Sequence, residues 1–296
     1  SEYSYACKKL GIKILPPDIN YGEGAFSVDH GNIRYGLTAI KSLGRPVIEA
    51  IIRERNLNGP YRDFKDLVER LSSKEINKRT VENLIKSGAL DCFHVTRKQQ
   101  MIVYASVIDS IQKERKNEIA GQMSLMDLLG EEDQQSFQIS YPDVGEYEKE
   151  QKLAMEKEVL GIYVSGHPLE DDIERLERSV TAHTSDFVID EETGKTKIHD
   201  RESCIIGGLI SEMSVKLTKK NQNMAFITLE DLRGTVEVVV FPRQYATYQS
   251  LLREDAKVFI KGTTQISEEE SKVICNQIIS FEAVSYTHLR AHETKA

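Results

Sequence analysis

The sequence predicts a multidomain chain that is α first and β second: a helical half, then a linker, then a small β-barrel. Three observations carry this. Apolar residues recur at helical spacing through residues 34–117. Residues 118–150 are acidic, Gln-rich and turn-prone apart from one apolar cluster. From Ser203 onward, short apolar runs broken by Gly, Asn and Asp take over.

Composition bounds the function classes. The 296 residues are 40% hydrophobic and 29% charged, without Trp, an ordinary globular balance that suits two or three domains. No apolar run approaches the roughly 20 residues a membrane span needs, and no signal sequence opens the chain, so we expect a soluble, cytoplasmic protein with no membrane partner. Cys7, Cys92, Cys204 and Cys275 are widely spaced, with no C-x-x-C pair; buried thiols are expected rather than disulfides or a metal site. The net charge of −8 opposes a nucleic-acid partner on average. The average hides a segregation. Residues 34–98 hold 14 Lys/Arg against 8 Asp/Glu, a net of +6, and residues 131–201 hold 8 against 19, a net of −11. One part of the chain can therefore attract phosphate while another repels it.

At the start, Tyr3, Cys7 and Leu10 suggest a short helix. Pro16-Pro17 then forces extended chain, and Phe26-Ser27-Val28 and Asn32-Ile33-Arg34 alternate as a hairpin around His30-Gly31. The stretch Ile33–Arg55 is the most informative. An apolar helix start runs into the hinge Lys41-Ser42-Leu43-Gly44 and leaves as a second helix through Val47, Ile48, Ile51 and Ile52. That is the pattern of a helix-hairpin-helix, which offers backbone N–H groups to a nucleic-acid phosphate. Asn58-Gly59-Pro60 ends the second helix, and Phe64, Leu67, Val68 and Leu71 predict another. Val81, Leu84 and Ile85 lead into a second hinge, Lys86-Ser87-Gly88-Ala89, where Ile85-Lys86-Ser87 repeats Ile40-Lys41-Ser42. A long helix is expected from Gln99 to Asn117. Two ordinary helix-turn-helix corners would leave the same pattern.

In the linker, Gln122-Met123-Ser124-Leu125-Met126 is apolar, which suits either burial by a partner or a short helix docked on its own domain. A charged helix over Tyr147–Val159 runs into Leu160–Leu169, where Gly166-His167-Pro168 reads as chain reversal. His167 lacks any sequence-visible nucleophile or acid, so a structural role is expected. Strands are predicted over Cys204–Ile210, Met224–Leu229, Thr235–Phe241, Lys257–Thr264 and Val273–Phe281, with a helix from Pro242 to Leu252. Three strands, a helix and two strands is the order of an OB-fold, a barrel that commonly takes single-stranded nucleic acid. Phe226 and Phe241 either fill its core or stack bases. The tail from Val284 matches no preceding periodicity, and synonymous codons for Val284–Glu293 can spell a transposon end joined to a sequencing adapter. Residues 284–296 are accordingly expected to be non-native read-through, and His288 and His292 are not taken as metal ligands.

Several segments together resemble the C-terminal portion of the bacterial DNA polymerase III alpha-subunit family (DnaE-type, C-family). They are Leu10–Asp18, Gly36–Lys41, Leu84–Ala89, Gly161–Pro168 and the β block, within a match over residues 3–283. The resemblance implies that residues 1–33 end a fingers region and that 34–117 form a tandem helix-hairpin-helix domain. Residues 118–150 would be a linker with a clamp-binding peptide, 151–202 a helical connector, and 203–283 the OB-fold. Gln122, Met123, Leu125 and Met126 are similar to the family's sliding-clamp peptide, departing from its commonest form in having Met at the second and last positions. The family's catalytic aspartates do not map onto this chain. The intact protein is thus expected to be a magnesium-dependent DNA-directed DNA polymerase working with other replicase subunits, and this fragment to be inactive alone, with no cofactor.

The expected duplex contacts are Lys41, Leu43, Gly44, Arg45, Lys78, Arg79, Lys86, Ser87 and Gly88, and the expected single-strand contacts Lys216, Lys219, Lys220 and Arg233. The alternatives are a non-enzymatic helix-hairpin-helix plus OB-fold DNA-binding module, or a replication scaffold. Ligase-type relatives place the OB-fold first and add zinc cysteines, neither of which is seen here.

Overall fold

The computed structural model describes residues 7, 10–71, 75–119, 139–190, 194–267 and 270–283. The clamp-like peptide Gln122–Met126, the 284–296 tail and nearly all of the expected first helix lie outside the described residues. Two compact units emerge, Gly11–Gly166 and a second containing everything described from His167 on.

The first unit opens with a small sheet of β1 (Ile14–Leu15), β2 (Ser27–Asp29) and β3 (Asn32–Arg34), ordered β1-β3-β2, with β2 and β3 joined by the predicted His30-Gly31 turn. Here the expectation of a helix entering the first hinge is corrected. Asn32–Arg34 is claimed by strand pairing, and only a single 3₁₀ turn, Leu37–Ala39, precedes the hinge. Leu37 and Thr38 donate their N–H groups to the carbonyls of Glu23 and Gly24, so tertiary pairing overrides the local helical pattern.

Helices α1 (Arg45–Asn58), α2 (Phe64–Arg70), α3 (Lys78–Lys86), α4 (Arg97–Ile119) and α5 (Lys149–Leu160) follow. Their starts are set by local chemistry. Pro46 occupies the first turn of α1, Asp63 accepts from the Asp66 N–H at 2.8 Å to cap α2, and Asn77 accepts from the Thr80 N–H at 3.0 Å to cap α3. Leu37, Ile40, Ile51, Phe64, Leu84, Ile108 and Val159 share one core.

Helix α5 therefore belongs to this unit, and the connector expected over 151–202 is divided between the two units at Gly166. The cause is a buried ion pair invisible to periodicity. Arg97, 1% exposed, donates from Nη1 to Glu156 Oε1 at 3.0 Å and to the Lys86 carbonyl at 3.2 Å, and from Nε and Nη2 to Asp91. Glu156, fully buried, accepts at Oε2 from the N–H groups of Val164 and Ser165, both at 2.9 Å. Each charge is matched by several hydrogen bonds, the condition under which a buried pair is tolerated.

The second unit carries α6 (Ile173–Ser179) and a closed barrel of β4 (Ser203–Leu217), β5 (Asn223–Glu230), β6 (Thr235–Val240), β7 (Lys257–Ile266) and β8 (Ser271–Ser280). Around the barrel the order is β4-β5-β6-β8-β7, with β6 and β8 parallel and helix α7 (Pro242–Tyr248) between β6 and β7 in sequence. This is the predicted OB-type arrangement. Strands β4 and β5 approach closely at Gly208, where a Cβ would fall 2.3 Å from the Glu230 carbonyl oxygen. Ile206, Ile210, Ala225, Ile227, Val238, Ile260 and Cys275 fill its interior. Burial pushes the Cys204 thiol up to about 11 and Cys275 to about 12, as expected of packed, unreactive cysteines. His167 Nδ1 accepts from the Leu169 N–H at 3.1 Å, and its Nε2 lies 3.7 Å from Glu230 Oε1.

Candidate nucleic-acid interface

In the first hinge, Ile40 and Leu43 are buried and anchor the turn, while Lys41, Ser42, Gly44 and Arg45 are exposed. Ser42 adopts φ 61°, which turns the chain sharply into α1. The Leu43 N–H is spent on the Ile40 carbonyl at 3.2 Å and the Lys41 N–H on the Val159 carbonyl at 2.8 Å. The N–H groups of Gly44 and Arg45, at the start of the 14-residue α1, meet no acceptor among the described residues. A helix start of this kind favours an anion.

Helix α3 lies against this hinge. Asn83 Nδ2 donates to the Lys41 carbonyl at 2.8 Å, and Arg79 Nη2 donates to Ser42 Oγ at 3.2 Å. Because Arg79, Asn83 and Lys86 recur at helical spacing, docking α3 by Asn83 carries the flanking cations to the same side. The result is an open cleft of about 570 Å³ rimmed by Lys41, Lys78, Arg79 and Lys86, with Glu82 and Glu158 also on its wall. The structure thus gathers four of the cations expected to contact duplex, with Gly44 and Arg45 beside them on the same hinge. Lys78 pairs with Asp109 at 2.7 Å, and Lys86 sits 2.9 Å from both Glu82 and Glu158. Burial works against the Lys86 ammonium, but the hydrogen bonds to Glu158 and Glu82 outweigh it and hold its pKa above the ordinary lysine value.

Ser87 and Gly88 are not brought to this cleft, which corrects the expectation of two equivalent hinges. Both are buried: Ser87 donates its N–H to the Asn83 carbonyl and its Oγ to the Leu84 carbonyl, and Gly88 donates to the Ile85 carbonyl. These bonds cap α3 and leave nothing for a phosphate. Gly88 has φ 81°, and a Cβ there would fall 2.3 Å from Arg97 Nη2. The repeated Ile-Lys-Ser therefore serves two purposes, a surface turn in the first copy and a packed cap in the second.

In the barrel, Lys216 lies near the end of β4, and Lys219 and Lys220 are exposed at the tip of the β4–β5 hairpin. Arg233 is separated from them. It sits in the β5–β6 turn, the length of the eight-residue β5 away, roughly 25 Å, and its Nη2 donates to Glu177 at 2.7 Å. Phe226 and Phe241 lie outside the barrel core, and Phe241 is 44% exposed. Phe226 pairs in register with Ser214 and Val239, and the Lys216 ammonium stands 4.8 Å from its ring centroid. The core-filling reading of these two aromatics is therefore not borne out.

Two family models match the chain: "Helix-hairpin-helix motif" over residues 11–100 and "OB-fold nucleic acid binding domain" over residues 205–280. The curated relatives include DNA polymerase III subunit alpha of Mycobacterium leprae, 32% identical over 277 residues, which span 94% of this chain and 23% of that protein. The subunit of the same name from Borreliella burgdorferi is 33% identical over 96% of this chain and 24% of its own, and that of Escherichia coli K12 is 34% identical over 88% and 22%. This chain is a relative of the DNA polymerase III alpha subunit. It spans about a quarter of the length of these alpha subunits.

The helix-hairpin-helix match over residues 11–100 begins upstream of the hinge and takes in the small sheet β1-β3-β2. Sequence reasoning missed Asn83 and Glu158. Asn83 reads locally as a polar position on an amphipathic helix, and Glu158 lies 72 residues from the lysine it pairs with, so neither left a local signal. Among the described residues no helix is long and apolar enough to cross a membrane, and no group of three or more His, Cys, Asp or Glu is placed to hold a metal ion.

Proposed function

We propose that this chain is the DNA-holding, clamp-tethered C-terminal part of a replicative DNA-directed DNA polymerase, and that it carries no polymerase chemistry itself. The observation that carries the reading is the cleft where Lys41, Lys78, Arg79 and Lys86 converge beside the open N–H groups of Gly44 and Arg45. Cations around a helix start recognise phosphate and ignore base identity, as a polymerase copying any sequence requires. The OB-fold takes the single-stranded template along Lys216, Lys219, Lys220 and the outward Phe226 and Phe241, which stack on bases of any kind. Arg233, paired with Glu177 at the far end of β5, is left out of that surface.

The peptide Gln122–Met126 tethers the subunit to the sliding clamp, converting a modest grip into persistence by raising effective concentration. The magnesium-dependent chemistry and the contacts to other replicase subunits belong to the intact protein, and no step of it runs through the residues described here. The test is a mobility shift of the 296-residue chain with random-sequence duplex and single strands over a range of salt. Duplex affinity is expected to fall with a slope of about −0.9 per phosphate neutralised, and Arg79→Ala or Lys41→Ala is expected to weaken it at low salt. Duplex binding that ignores salt would sink the reading. Capture on immobilised clamp, lost with Gln122→Ala and Leu125→Ala, tests the tether separately.

A further inference from the structure

The cleft that gathers the cations also holds a carboxylate whose presence a phosphate site does not require. Lys86 is its most enclosed cation, with a side chain 15% exposed, and both oxygens of Glu158 lie close to its ammonium, at 2.9 and 3.1 Å. Glu82 sits 2.9 Å from the same group. The backbone around Glu158 is firmly held: Glu156 is bound to Arg97, and the Val159 carbonyl accepts from Lys41. Its own side chain is 60% exposed, so solvent can claim it when it leaves.

We propose that Glu158 is a built-in competitor for the DNA phosphate, holding Lys86 while the cleft is empty and surrendering it when a phosphate oxygen enters. The inference rests on the phosphate-binding reading of this cleft and deepens it. Its physical consequence is specific. A lysine in solution carries loosely held anions, whereas binding to DNA frees cations condensed on the phosphates. When a phosphate displaces Glu158, one anion replaces another at Lys86, and salt, which screens the Lys86–Glu158 pair, favours its breaking and so offsets part of the salt sensitivity of the new contact. That contact then adds little to net ion release, and the grip stays weak enough for the duplex to move through it.

The experiment uses the 296-residue chain, a fluorescein-labelled random-sequence duplex, and anisotropy titrations at several salt concentrations. Glu158→Gln is compared with Lys86→Met, with both together, and with Glu174→Gln. Glu174, 80% exposed on α6, belongs to the second unit and makes the same charge change at a residue that does not line the cleft. Glu158→Gln is expected to bind about threefold tighter at low salt, the scale of an exposed ion pair, with a salt slope steeper by up to about 0.9, the full value being reduced by Glu82, which still pairs with Lys86. Lys86→Met is expected to erase both gains, and Glu174→Gln to leave the slope unchanged. An unchanged slope in Glu158→Gln, or a gain that survives Lys86→Met, overturns the competitor while leaving the phosphate cleft standing. Absence of salt-dependent duplex binding by the wild-type chain overturns both.

Discussion

Replacing Glu156 by Ala is expected to do more damage than any other single change on α5. The wild-type carboxylate is fully buried and takes one hydrogen bond from Arg97 and two from the backbone N–H groups of Val164 and Ser165. Removing it leaves a buried guanidinium with Asp91 as its remaining ionic partner, and two N–H groups without an acceptor. Breaking one partner of a buried pair costs about 3–5 kcal/mol. Asp91 retains part of the compensation, which places the expected loss near the lower end, about 3 kcal/mol. Against a typical domain stability of about 5–15 kcal/mol this is a large fraction. The assay is hydrogen exchange under native conditions, read at Val164, Ser165 and the α5 amides, because the two units need not unfold together. Exchange at those amides is expected to accelerate by about a hundredfold, since each 1.4 kcal/mol is worth about tenfold. A double variant, Arg97→Met with Glu156→Leu, is expected to recover much of the loss, because a buried pair replaced by apolar groups is often neutral. If Glu156→Ala changes exchange less than about tenfold, the ion pair is not what docks α5, and Leu153, Val159 and Leu160 hold it by apolar burial alone.

Two further predictions concern the barrel face and acid stability. Phe226→Ala and Phe241→Ala are each expected to weaken single-strand binding by about 1–3 kcal/mol per lost stack, and to leave duplex binding unchanged; equal losses on both substrates in a filter-binding assay would argue for unfolding instead. At Asp66, burial raises the carboxyl pKa, but hydrogen bonds from the Arg62 side chain and backbone and from Arg70 outweigh it, so the net shift is downward. A lowered folded pKa contributes stability above the unfolded value of about 3.9, and that contribution is lost as pH falls toward the folded value. The urea midpoint of the first unit is therefore expected to drop below about pH 4, and to drop less in Asp66→Asn. An identical acid profile in the variant would show that Asp66 is not coupled to folding.

Much of the architecture was legible because it is locally encoded. The alternation of Ala225, Ile227 and Leu229 marks a strand with one fully buried face, and Asp63 and Asn77 mark helix starts by their capping chemistry. The cations of the cleft could likewise be named in advance, since a net of +6 over residues 34–98 is a property of the sequence.

What tertiary structure alone decided was how those residues are used. Ile40-Lys41-Ser42 and Ile85-Lys86-Ser87 read alike, yet the first lies on the surface and the second is packed under Arg97, because Gly88 and Asp91 admit a guanidinium that no local pattern announces. Phe226 was ambiguous because both faces of β5 carry apolar side chains, Met224 and Phe226 on one and Ala225 and Ile227 on the other. Closure of the barrel resolved it: the narrow interior takes Ala225 and Ile227, and the aromatic ring is left outside with Lys216 over it. Composition likewise counts charges but not their partners, and Lys86 meets Glu158 only because Glu156 pins α5 against α3 and α4. Local periodicity determines which elements form and which residues can bear charge; long-range packing determines which donors and cations remain free to meet a ligand, since that depends on neighbours distant in sequence.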